Sequence, residues 1–83
     1  MQVHEVSERI TVGAVFRNNK IIPKWFYLGK DKHTVKNIEQ FWQTKEGEAP
    51  LLFFVVNDGV NIYEIRLNQK NLEWRLEKVY MEG

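Results

Sequence analysis

From residue 51 onward, apolar and polar positions alternate between clusters of turn-forming residues, the pattern of half-buried β-strands. Leu51-Leu52-Phe53-Phe54-Val55-Val56-Asn57 runs into Asp58-Gly59, which tolerates positive φ and favours a two-residue hairpin turn. A second strand is expected from Val60 to Leu67. Asn68-Gln69-Lys70-Asn71 makes the next turn, and a third strand runs from Leu72 to Tyr80. These turn lengths predict a register. Val56 is expected opposite Asn61, Phe54 opposite Tyr63, Leu52 opposite Ile65, Leu67 opposite Leu72, Ile65 opposite Trp74 and Tyr63 opposite Leu76. One face of the meander then gathers Leu52, Phe54, Tyr63, Ile65, Leu67, Leu72, Trp74 and Leu76. The other sets Arg66 across from Glu73 and Glu64 across from Arg75, two pairs of opposite charge. Leu51, Phe53 and Val55 share this second face, so N-terminal strands or another chain must cover it.

The N-terminal half also reads as β. Ile10 to Phe16 leads into Arg17-Asn18-Asn19-Lys20, a turn whose two asparagines suit the left-handed region. The next strand, Ile21 to Leu28, contains Pro23, which implies an edge position or a bulge. Gly13 in the facing strand implies a bend or a close backbone approach. Thr34 to Gln43 fits a short helix through Val35, Ile38, Phe41 and Trp42. It also fits a strand bulged near Asn37 with Ile38, Gln40 and Trp42 on one face, and the β neighbours favour the strand. The expected fold is mainly β: a five- to six-stranded antiparallel barrel, SH3-like or OB-like, closed to protect its edges and ending in the meander. Residues 1–8 are expected to form a loose tail and 9–83 a single domain. Trp74 and Trp42 are both expected in the core.

With 83 residues and 43% hydrophobic content the chain can build one core without a partner. Cysteine is absent, so disulfides, thiolate metal sites and a cysteine nucleophile are excluded, and a cytoplasmic location is expected. The longest apolar run, Leu51 to Val56, falls far short of the ~20 residues that span a bilayer. No signal-peptide pattern or membrane association is expected.

Charge is divided unevenly. Residues 1–45 hold eight Lys and Arg against four Asp and Glu, whereas residues 46–83 hold four against seven. Arg17, Lys20, Lys24, Lys30, Lys32 and Lys36 surround Trp25-Phe26-Tyr27 with only Asp31 to oppose them. Strand parity puts Trp25 and Tyr27 on one face and Phe26 and Leu28 on the other. Lysines that neutralise phosphates beside a ring that stacks on a base are the equipment of single-strand binders. The candidate ligand surface is therefore Lys20, Lys24, Trp25, Tyr27, Lys30, Lys32 and Lys36. The competing structural explanation is an edge strand solvated by lysine, with its rings closing the barrel.

The stretch Gly29, His33-Thr34-Val35, Ile38 and Trp42, then Phe54-Val55-Val56, Gly59, Tyr63-Glu64-Ile65 and Trp74-Arg75-Leu76-Glu77-Lys78-Val79-Tyr80, resembles a family of small bacterial β domains of unknown function. The similarity covers about residues 28–80. Met81 stands where that family tends to have Asp, and Ala49-Pro50 replaces a paired-Trp region. Some relatives are encoded beside error-prone DNA polymerase genes, so the resemblance implies a link to nucleic-acid metabolism. It implies no catalytic residues.

Other chemistry finds little support. Asp31-Lys32-His33 reads as a solvated turn rather than ligands, His4 lies in the tail, and Ser7, the only serine, has no evident base. Glu46 and Glu48 flank Gly47 in a polar loop, and no phosphate-cradling glycine loop is present. The expectation is a binding module that is not an enzyme and needs no cofactor or metal. Its expected partner is single-stranded nucleic acid, with a protein partner or self-association as the alternative.

Overall fold

The computed structural model describes residues 2–81. Met1, Glu82 and Gly83, included in the expected tail and domain, lie outside the described residues. The chain forms seven strands: β1 (Gln2–Arg17), β2 (Lys20–Leu28), β3 (Asp31–Thr34), β4 (Asn37–Glu46), β5 (Ala49–Asn57), β6 (Ile62–Asn68) and β7 (Glu73–Met81). All neighbours are antiparallel, in one sheet of order β3-β2-β1-β7-β6-β5-β4. The strands therefore exceed the five or six expected, and no ladder joins β3 to β4 to close the sheet. The connector between them makes two backbone bonds instead. Val35 N–H donates to the Lys24 carbonyl and Lys36 N–H to the Asn57 carbonyl, both at 2.8 Å.

The expected loose tail belongs to β1. Its first half pairs with β7, from Gln2 opposite Met81 to Ile10 opposite Trp74, and its second half pairs with β2. A bulge at Glu5 to Glu8, with Ser7 at φ 56°, interrupts the ladder with β7. The β1/β2 hairpin turns at Asn18 and Asn19, with φ of 53° and 62°, the left-handed pair that this sequence favours. Opposite Gly13 and Ala14 the ladder skips Lys24, so the bulge implied by Pro23 lies directly beside it. Pro23 is fully buried. Residues 37–46 are strand rather than helix, and the bulge falls at Glu39. Before it Ile38 faces Val56; beyond it Phe41 faces Phe54 and Trp42 faces Phe53. Ile38 and Trp42 thus lie on opposite faces, contrary to expectation.

The meander is present, with both hairpins displaced by two residues beside their turns; past a bulge between Glu64 and Ile65 the second is displaced by three, so Tyr63 faces Val79 rather than Leu76. Val56 pairs with Tyr63, Phe54 with Ile65 and Leu52 with Leu67; Ile65 pairs with Leu76 and Leu67 with Trp74. Side-chain hydrogen bonding explains the change. Asn57 Oδ1 accepts from Gly59 N–H, and Asp58 Oδ1 accepts from Val60 and Asn61 N–H at 2.9 and 2.8 Å, which closes a four-residue loop. Asn68 Oδ1 likewise accepts from Lys70 and Asn71 N–H, so the second loop is Gln69 to Leu72. A two-residue displacement keeps each side chain on its face. The predicted core membership of Leu52, Phe54, Tyr63, Ile65, Leu67 and Leu76 therefore holds, joined by Ile10, Phe26 and Val56. Full burial of one such side chain contributes about 1.5–3 kcal/mol. Trp74 packs against this core only partly buried, and Leu72 moves into the loop, 72% exposed.

The displacement also rewires the outer face. Arg66 stands opposite Arg75, and Glu64 opposite Lys78. The expected pairs Arg66 with Glu73 and Glu64 with Arg75 do not form. Arg66 instead donates a hydrogen bond to Glu46 at 3.2 Å and lies 2.9 Å from the Glu77 carboxylate as an ion pair, while Arg9 and Arg75 both reach Glu73. Trp42, expected in the core, lies flat on Phe53 with ring centres 5.0 Å apart. Leu51 is buried, and Phe53 and Val55 are half-buried, by side chains of this same chain. Among the described residues no helix is long and apolar enough to cross a membrane.

Candidate nucleic-acid interface

The seven residues singled out from the sequence divide into a central group and two outliers. Trp25 pairs with Gly13 on β1 and Thr34 on β3, and Tyr27 pairs with Thr11 and Lys32. Phe26 between them is completely buried, so strand alternation turns Trp25 and Tyr27 to the outer face. Their rings meet edge to face at 5.6 Å. Gly13 leaves room for the indole to lie on the backbone, where any Cβ would overlap the ring. Lys32 Nζ stands 5.3 Å from the Trp25 ring centre, a cation–π contact. Tyr27 is 37% exposed, and Lys24, Lys30 and Lys32 are exposed close to the rings in sequence.

Lys20 and Lys36 belong elsewhere. Lys20 closes the β1/β2 turn, five residues along β2 from Trp25, or about 16 Å at strand rise. The Lys36 side chain lies over Gly59 in the loop between β5 and β6. The group that the structure brings together is therefore Trp25, Tyr27 and Lys32, with exposed Lys24 beside Trp25 along β2 and Lys30 in the turn between β2 and β3. A base stacking on Trp25 would replace the Lys32 ammonium, freeing it for a phosphate.

A second cluster was missed from the sequence. His33 Nδ1 lies 3.1 Å from Asp58 Oδ2, and the Tyr63 hydroxyl donates to the same oxygen at 3.0 Å. The His33 ring stacks on Phe26 at 4.9 Å. His33 is thus half-buried in a polar network rather than part of a solvated turn. Burial pushes the Asp58 carboxyl up, but the Asn61 and Val60 amides, with His33 and Tyr63, outweigh it and hold it below its ordinary value. Burial raises the Tyr63 phenol, and the adjacent carboxylate adds to the rise against the opposing Asn61 amide. The cluster ties β3, the loop between β5 and β6, and β6 together. The only sequence signal was the Asp58 turn, whose carboxylate has capacity beyond its two backbone partners. Among the described residues no three His, Asp or Glu side chains group as metal ligands.

No family model, curated protein or solved structure matches this chain.

Proposed function

We propose that this protein is a non-catalytic, cytoplasmic binding module that takes single-stranded nucleic acid on the outer face of β1, β2 and β3. The observation that carries this reading is the outward Trp25 and Tyr27 pair with the Lys32 ammonium over the indole. Lys24 and Lys30, exposed and near the rings in sequence, are read as further phosphate contacts. The cycle of antiparallel neighbours, open only between β3 and β4, is read as a small barrel of SH3-like or OB-like type with its seam at that point. The resemblance to the bacterial β-domain family, through Tyr63-Glu64-Ile65 and Trp74-Arg75-Leu76-Glu77-Lys78-Val79-Tyr80, agrees with a role near nucleic-acid metabolism.

A titration of labelled single-stranded DNA at two salt concentrations tests the reading. Binding tighter than ~100 μM at low salt, weakening steeply as salt rises, is expected from counterion release. Lys24→Ala with Lys30→Ala should flatten the salt slope by about 0.7 per lysine. Affinity that is independent of salt, or unchanged in that variant, overturns it.

A further inference from the structure

We propose that the cavity at the open seam, between the start of β2 and β4, binds a small amphiphile with an alkyl chain and a carboxylate head, and that Lys20 selects the head. The cavity opens where β3 stops. β3 pairs only with Trp25 to Leu28 of β2, so no strand continues it beside Lys20 to Ile22. Between that end of β2 and β4 lies a space of about 540 Å³. Ligand pockets span roughly 300–1,000 Å³ and combine an apolar lining with a few polar groups.

The lining has that composition. Leu52 and Phe54 are buried core residues, and Ile21 packs against the same core. Ile38 and Phe41 of β4 complete the apolar part. Phe41 packs on Phe54 with ring centres 5.2 Å apart, yet it remains 56% exposed and Ile38 38% exposed. The chain thus leaves apolar surface of this cavity in water, and an alkyl chain would cover it. The polar part of the lining is Lys20 with the amides of Asn19, Gln43 and Gln69. Among the described residues no carboxylate lines the cavity and none pairs with Lys20. One free ammonium among side-chain amides, all able to donate hydrogen bonds, favours an anionic head over a cationic one. Ile21 faces inward on β2 whereas Trp25 and Tyr27 face outward, so this site stands or falls separately from nucleic-acid binding.

Titration with sodium decanoate and with decylammonium chloride, followed through the backbone amide resonances of the protein, tests the site. Saturable shifts at Lys20, Ile38, Phe41 and Gln43 are expected, with a dissociation constant for decanoate of about 2 mM or tighter. Decylammonium carries the same chain and should bind at least about threefold more weakly. Lys20→Glu should reverse that order, whereas Phe41→Ala should weaken both probes about fivefold by removing apolar lining. Both positions are exposed, and a thermal melt confirms that each variant folds. Shifts centred on Trp25 and Tyr27, no saturation by about 10 mM, a head preference that Lys20→Glu leaves unchanged, or a Phe41→Ala variant that weakens neither probe would overturn the proposal.

Discussion

The indole of Trp25 occupies the space above Gly13 that a side chain there would need. A glycine in mid-strand ordinarily weakens a sheet, and here the ring takes the place of the missing side chain. Gly13→Ala is expected to displace the indole and to lower stability by about 1–3 kcal/mol through overpacking. Urea denaturation measures the loss, and the Trp25 indole N–H resonance reports the movement. An unshifted resonance with unchanged stability would show that the ring does not rest there.

Asp58 should make stability depend on acid pH. Its carboxyl titrates near 3.8 when unfolded and lower when folded, so its contribution is fully present above that value. The contribution is lost as pH falls through the lower folded value. Asp58→Asn keeps an acceptor for the loop amides but removes the charge facing His33 and Tyr63. Melting temperatures of the two proteins should therefore differ most above about pH 5 and converge towards pH 3. A constant gap across that range would contradict the assignment.

Leu72 and Leu76 distinguish the two registers of the last hairpin. In the structure Leu72 is 72% exposed at φ 62°, whereas Leu76 is completely buried. Leu76→Ala should cost about 2–5 kcal/mol and Leu72→Ala stay within about 0.5 kcal/mol. Equal losses in chemical denaturation would favour the turn shifted back by one residue, at Asn68 to Asn71.

Several features were legible along the chain because their causes are local. Asn18 and Asn19 adopt the left-handed pair expected of them, Pro23 sits beside a bulge, and Phe26 turns inward between Trp25 and Tyr27. Other features were hidden because their causes lie far away in sequence. Asp58 reaches Tyr63 and His33, 5 and 25 residues away, and this capacity was invisible while Asp58 counted only as a turn residue. Trp42 lies on Phe53 because the Glu39 bulge decides which side each later residue of β4 faces.

Alternation and turn chemistry were enough to establish an antiparallel β protein, the membership of most of its core and the outward direction of Trp25 and Tyr27. Each of these follows from strand geometry, in which side chains change sides at every residue. The number of strands, the capture of residues 2–8 by β7 and the open seam between β3 and β4 depended on long-range pairing, and the registers of both hairpins came only with the structure. A displacement of two leaves the apolar pattern unchanged, so periodicity cannot distinguish the registers. Side-chain hydrogen bonds from Asp58 and Asn68 to amides two and three residues on make that choice, a turn chemistry that the alternation of apolar and polar residues does not carry.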